Sequence, residues 1–170
     1  NAALRSRWTM LMPSWKRAEA LLKTADGIDK RAAELARTIT LESGKPIRDS
    51  RGEVKRAALT FRLAAEEAGR LGGEVVPLDI APGSDGRFAI VRRFPIGPVL
   101  GITPFNFPLN LVAHKVAPAM ASGNPIIIKP APRTPLTALI LGEIVTEALW
   151  PSGGLNVVVC ANEHAAPLWD

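Results

Sequence analysis

Cysteine and histidine are scarce in this sequence: its 170 residues contain one cysteine and two histidines. Cys160 has no partner for an internal disulfide, which points to a reducing, cytoplasmic setting. Cys160, His114 and His164 make no credible ligand set, so no metal site is expected. Charge is absent from residues 94–114, a stretch long enough to raise the question of a membrane span. Pro95, Pro98, Pro104, Asn106, Pro108 and Asn110 interrupt it and argue against a spanning helix, so no membrane association is expected. The opening NAALRSRWTM lacks the apolar core of a signal peptide. Aromatic residues amount to 5% and are not interleaved with the basic ones, so a base-stacking platform is missing and no nucleic acid is expected as partner. The usual dinucleotide fingerprint, a G-x-G-x-x-G turn, is missing too.

What is present is enough apolar material, 47%, for a real core in one domain or in part of a larger one. The net charge of +5 is uneven: residues 1–62 hold 14 Lys and Arg against 7 Asp and Glu, and the remainder hold 7 against 9. The basic residues fall at helical spacing between apolar ones, which reads as a solvated helix face. Trp8, Trp15, Trp150 and Trp169 are spread through the chain and read as packing residues.

Periodicity orders the elements. Residues 15–42 repeat apolar side chains (Trp15, Ala18, Leu22, Ala25, Ala32, Leu35, Ala36, Ile39) at helical steps, and Gly44 and Pro46 end the run. Ser50 and Glu53 have capping-box spacing for a second helix with the stripe Val54, Ala57, Phe61, Ala64 and Ala68, closed by Gly72 and Gly73. A hairpin is expected over 74–93, with Pro77 marking an edge strand. Apolar runs at 98–102, 124–130 and 155–160 then alternate with helices at 107–121 and 133–149, the latter with Thr134 as N-cap and Pro135 in first position. Strand, helix, strand, helix, strand with continuously apolar strands specifies an α/β fold: N-terminal helices and a β-hairpin, then a Rossmann-like parallel βαβαβ sheet.

Ligands bind beyond the carboxyl ends of such strands. Asn106 follows the first strand and Lys129 ends the second, so both project to one sheet edge. An uncharged amide can donate to a developing oxyanion, and a lysine there reaches ribose hydroxyls or a phosphate. Spacing alone leaves a plainer reading open, in which Asn106 is a turn residue and Lys129 lays its stem along apolar surface. Cys160 ends an apolar strand and reads as a buried structural cysteine rather than a nucleophile.

The motifs ITLESGKP, GGEVVPLD, RRFPIGPVLGITPFNFPL and IIIKPA resemble, in order and spacing, the aldehyde dehydrogenase superfamily. The resemblance covers nearly the whole chain, beginning inside that family's first helices and stopping before the second half of its coenzyme domain. It implies a division into an N-terminal helical part of the coenzyme domain (1–73), a β-hairpin of bridging or oligomerisation type (74–95) and the first half of a Rossmann-like NAD(P)-binding domain (96–170).

The resemblance also implies roles. Asn106 would be the oxyanion-stabilising amide, and Lys115 a lysine near the site that assists proton transfer. Ile102, Thr103, Pro104, Phe105, Lys129, Pro130, Ala131 and Pro132 would line the coenzyme cleft, with Lys129 on the adenine ribose. Phe107, Leu111 and His114 would face the aldehyde entrance. Pro132 stands where family members carry an acidic or other polar residue. With Arg133 adjacent and no carboxylate to repel a 2′-phosphate, the coenzyme is NADP or NAD rather than strictly NAD. The implied activity is oxidation of an aldehyde to a carboxylic acid through a covalent thiohemiacetal and thioester, in an enzyme that is a dimer or tetramer. The nucleophilic cysteine and general base would lie outside these 170 residues, so the chain alone is expected to be inactive. A non-catalytic coenzyme-binding or assembly fragment is the alternative.

Overall fold

The computed structural model describes residues 7–168, without the side chains of Arg7 and Trp8; Trp8 and Trp169 thus fall outside what can be compared. Four helices come first: α1 (Arg7–Leu11), α2 (Ser14–Lys30), α3 (Ala32–Ser43) and α4 (Ile47–Ala68). β1 (Gly73–Pro77) and β2 (Phe88–Arg92) form an antiparallel hairpin in which Gly73 faces Arg92 and Pro77 faces Phe88. β3 (Val99–Ile102), α5 (Asn110–Ser122), β4 (Ile126–Lys129), α6 (Leu136–Glu147) and β5 (Leu155–Val157) complete the chain. The three strands form a parallel sheet in the order β3-β4-β5, with Ile102 opposite Lys129 and Ile128 opposite Val157. The expected α/β architecture is the one observed. Among the described residues no helix is long and apolar enough to cross a membrane.

Several boundaries differ from the sequence reading. The run at 15–42 is two helices, broken at Arg31, whose φ of −97° and ψ of 18° leave the helical region. The Arg31 side chain is held by Glu34 at 2.7 Å and by Glu143 of α6 at 2.9 Å. These two bonds, Glu34 first, keep its guanidinium above its ordinary pKa. Within α2 the inward face is Leu21, Ala25 and Ile28, whereas Trp15 is 63% exposed and does not pack as expected. The break is followed by the expected stop, Gly44 at φ 73°, where the left-handed backbone suits a residue without Cβ.

α4 starts at Ile47, directly after Pro46, and Ser50 and Glu53 form no capping box. Both are buried: Ser50 donates to the Pro46 carbonyl, and Glu53 turns away to another helix. α5 starts three residues later than expected, because residues 105–109 bend and turn before the helix begins. Similarly, α6 starts at Leu136, so Thr134 is not its N-cap; the Thr134 hydroxyl is buried without a partner. β5 is shorter than the apolar run suggests, although the Val158 N–H still donates to Ile128 at 2.8 Å.

The core forms where α4 packs against α2, α3 and α5, and α6 against α2 and α3. Leu21, Ile28, Leu35, Ile39, Phe61, Met120, Ile126, Ile128, Leu141 and Ile144 are essentially fully buried there. Burying each such side chain contributes about 1.5–3 kcal/mol. Trp150 joins this core.

The helix ends are finished from outside. Neither α5 nor α6 has a side-chain cap of its own. Glu53 Oε1 accepts the N–H groups of Leu109 (2.9 Å) and Asn110 (3.1 Å) at the start of α5. Glu42 accepts the N–H groups of Leu136 (2.9 Å) and Thr137 (3.2 Å), and the Thr137 hydroxyl, at the start of α6. At the far end of α5, Arg17 Nε donates to the Ala121 carbonyl at 2.8 Å. Partial burial holds that guanidinium below its ordinary pKa. Each charge has the sign that its helix end favours. Glu42→Ala is therefore expected to cost about 1–2 kcal/mol, in the range for loss of a helix cap. Urea unfolding checks this, and an unmoved midpoint would show that the cap contributes nothing.

Candidate functional site

The carboxyl ends of β3 and β4 carry the expected residues to one place. Past the last ladder pair, the Thr103 N–H donates to the Lys129 carbonyl at 3.2 Å, keeping the two strand ends together. Ile102, Thr103, Pro104, Phe105, Lys129, Ala131 and Pro132 line one cavity of about 620 Å³, together with Arg133 and Asn162. Of the eight residues expected around the coenzyme, only Pro130 is not on its wall; it is buried beside it. Lys129 is 2% exposed, and its Nζ donates to Asn162 Oδ1 at 2.7 Å. That bond uses one of three ammonium protons and leaves two for a ligand. The Arg133 guanidinium lies 4.9 Å from the centre of the Phe105 ring.

A second cavity of about 560 Å³ takes Phe107 and Asn110 from the same bend. It is lined by Lys45, Arg48, Asp49, Gly52, Arg56, Phe107 and Asn110. Phe105 lines the first cavity and Phe107 the second; Asn106, between them in sequence, is exposed and on the wall of neither. Lys45 is committed to Glu53, while Arg48 reaches Asp49 at 4.0 Å. Arg56 makes no ion pair among the described residues; its guanidinium stands 5.7 Å from the centre of the Phe107 ring.

The remaining expected residues are placed less tightly. Lys115 is half-buried and its stem crosses β3 where the chain has no side chain: a Cβ on Gly101 would stand 3.0 Å from Lys115 Cδ. Leu111 and His114, on one face of α5, are half-buried and exposed respectively, and neither lines the cavity that Phe107 lines. Cys160 lies three residues beyond β5 and is half-buried, not buried as expected. Among the described residues no three His, Cys, Asp or Glu side chains form a metal-binding group.

The model of the aldehyde dehydrogenase family matches residues 1–168. The chain belongs to the aldehyde dehydrogenase family. A 3-sulfolactaldehyde dehydrogenase of Priestia megaterium is 50% identical over 144 residues, covering 85% of this chain and 30% of that protein. Aldehyde dehydrogenase 21 of Physcomitrella patens, solved in complex with its reaction product succinate, superposes with a TM-score of 0.90 at 49% identity, over 96% of this chain and 34% of that one. Glyceraldehyde-3-phosphate dehydrogenase GapN of Methanocaldococcus jannaschii, complexed with NADP, gives a TM-score of 0.87 at 40% identity, over 95% and 35%. The chain thus spans about a third of the length of the relatives it matches.

Three features of this aldehyde dehydrogenase segment escaped the sequence reading. Asn162, the partner of Lys129, sits in a 3₁₀ turn with no periodic signal. Arg56 looked like one more solvated charge on α4. Lys45 and Glu53 form a buried pair beneath the bend. A signal for Glu53 did exist: it precedes Ala57 by one helical turn on the buried stripe, and a buried carboxylate requires a partner. The packing at Gly101 is directly checkable. An added Cβ would lie 2.6 Å from Ile128 Cδ1. Gly101→Ala should cost about 1–3 kcal/mol through overpacking. Adding Ile128→Val, which removes that δ-carbon, should recover part of the loss. A double-mutant cycle by urea unfolding reads the coupling, and strictly additive losses would contradict the contact.

Proposed function

We propose that this chain is the coenzyme-binding and oxyanion-holding part of an NAD(P)-dependent enzyme that oxidises aldehydes bearing an anionic group to carboxylic acids. One observation carries the reading: Asn106 stands exposed on a bend whose Phe105 lines an apolar-walled cavity with a buried lysine and whose Phe107 lines a second cavity rich in cations. On this reading residues 1–73 are the helical part of the coenzyme domain, 74–95 a bridging hairpin and 96–170 the first half of the coenzyme fold. The exposed Val75, Phe88 and Ile90 of the hairpin suit a subunit contact in a dimer or tetramer. The lone Cys160 suits a reducing cytoplasm.

The first cavity fits the coenzyme. The two free donors on Lys129 suit ribose hydroxyls. Arg133, next to Pro132 where no carboxylate opposes it, suits a 2′-phosphate, so NADP is accepted as well as NAD. The bound coenzyme supplies the hydride acceptor. The chain's own residues do the rest of the positioning. Ile102, Thr103, Pro104 and Phe105 wall the nicotinamide side and exclude water. The Asn106 side-chain amide, which has no hydrogen bond among the described residues, donates to the oxygen of the substrate carbonyl as negative charge develops on it. Phe107 bounds the aldehyde entrance with Leu111 and His114 on the following helix. Lys115 stands behind β3 as a proton-carrying group. No nucleophile is assigned to these residues.

The substrate class rests on Arg56, the cation of the second cavity with no ion pair. A carboxylate, sulfonate or phosphate tail fits it. Some relatives are named for or solved with such groups, 3-sulfolactaldehyde, succinate and glyceraldehyde-3-phosphate, while others are lactaldehyde dehydrogenases, whose aldehyde has no anionic tail.

Two results check this in a complete enzyme carrying the chain. Asn106→Ala should lower turnover about 100- to 1000-fold, the usual loss of one oxyanion donor, with NAD and NADP affinities by calorimetry nearly unchanged. Full turnover with chemistry rate-limiting would refute the role. Arg56→Ala should lower kcat/KM for succinate semialdehyde about 10- to 100-fold, and barely change it for neutral butanal. Equal losses for both aldehydes would remove the anionic preference.

A further inference from the structure

Asn106 is exposed, yet the backbone that carries it is held from a distant part of the chain. Lys45 Nζ donates to the Asn106 carbonyl at 2.9 Å and to Glu53 Oε2 at 2.5 Å. The same ammonium stands 4.1 Å from the centre of the Phe107 ring. Glu53 Oε1 takes the N–H groups of Leu109 and Asn110. One side-chain pair therefore holds residues 106, 107, 109 and 110, the whole bend on which the amide sits. The Glu53 side chain is 0% exposed and that of Lys45 16%.

A pair so desolvated adds little net stability over apolar residues of the same volume. What it does supply is a fixed geometry for the groups it bonds. An amide on an exposed bend has little else to hold it. Oxyanion stabilisation requires that amide within about 0.5 Å of its productive place, and a 1 Å misplacement costs about 100-fold in rate. We propose that Lys45 and Glu53 are positioning residues that set where the Asn106 amide stands relative to the reacting carbonyl. The proposal rests on the oxyanion role given to Asn106 above. Neither residue needs to touch substrate: the Lys45 ammonium is already shared between Glu53, the Asn106 carbonyl and the Phe107 ring.

The test uses the complete enzyme carrying this chain, with succinate semialdehyde and NADP, in the parent and Asn106→Ala backgrounds. The double change Lys45→Met with Glu53→Gln buries no unpaired charge, and the introduced amide keeps an acceptor for the Leu109 and Asn110 N–H groups. In the parent, kcat should fall about 10- to 100-fold while KM for aldehyde and coenzyme stays within about twofold. In the Asn106→Ala background the same change should lower kcat less than about threefold, because no amide is left to misplace. Lys45→Arg is the second variant. It keeps the positive charge beside Glu53 and so preserves the fold, but presents a larger planar head to the Asn106 carbonyl. It should lower kcat in the parent and not in the Asn106→Ala background. Equal losses in both backgrounds, or an unchanged kcat in the parent, would reduce the pair to a fold support and overturn the proposal. If Asn106→Ala itself leaves turnover intact, the oxyanion reading fails, and the positioning proposal with it.

Discussion

Side chains of the first helices finish the ends of α5 and α6, and the rest of the structure depends on it. An α-helix leaves its first N–H groups without partners, and a buried unmade hydrogen bond costs about 1–3 kcal/mol. α5 begins against buried Leu109 and α6 at the surface, where Leu136 is half-exposed, and neither brings a cap. Glu53 and Glu42 supply carboxylates, which accept more strongly than neutral groups and suit the positive end of the helix. The solution creates its own demand. Glu53 is fully buried, so it needs a cation, and Lys45 provides it. Lys45 in turn has donors to spare, and they close on the bend between β3 and α5. A stability requirement at a helix end thus leads, bond by bond, to the conformation of the segment that carries Asn106.

The same arrangement bears on where a ligand can go. In many doubly wound folds the N-terminus of the first crossover helix receives a phosphate, and a glycine-rich turn lets it approach. Here Glu53 already occupies the N–H groups at the start of α5. A phosphate at that place would meet a carboxylate. The missing glycine fingerprint then has a structural counterpart: a helix end capped by the protein has no need of a turn built for backbone approach. Space for a ligand opens instead along the ends of β3 and β4, against Lys129 and Asn162.

The two cavities lined by Phe105 and Phe107 differ in how their charges are placed. In the first, the one buried cation is tied to a neutral amide and is left with free donors. In the second, among the described residues, Lys45 and Arg48 have acidic partners and Arg56 has none. The first also carries Arg133, which has no ion pair among the described residues, so both cavities offer a free guanidinium and only the first adds a buried ammonium with free donors. Composition did not separate them, since both lie among apolar residues with scattered basic ones.

The sequence by itself determined the order and kind of the helices and strands from α4 onward, while α1 went unread and α2 and α3 read as one helix. Ile126, Ile127 and Ile128 form a run too short and too β-branched to be a helix, and Leu155, Asn156 and Val157 open a short apolar run with Val158 and Val159. α4 shows its stripe in Val54, Ala57 and Phe61, and the hairpin shows itself in the polar turn between two β-type runs. Each is a local preference carried by neighbouring residues. The cluster at the ends of β3 and β4 was also legible, because a parallel sheet sends successive strand ends to one edge. Only the tertiary structure decided where helices begin, which carboxylates are buried and what holds Asn106. Glu53 meets Leu109 across 56 positions and Glu42 meets Leu136 across 94. The break at Arg31 answers to Glu143 in the same way. A capping box and a cap across the fold use the same residue types. Nothing within a few residues of Glu53 tells the two apart, because the groups that decide between them arrive only when the helices pack.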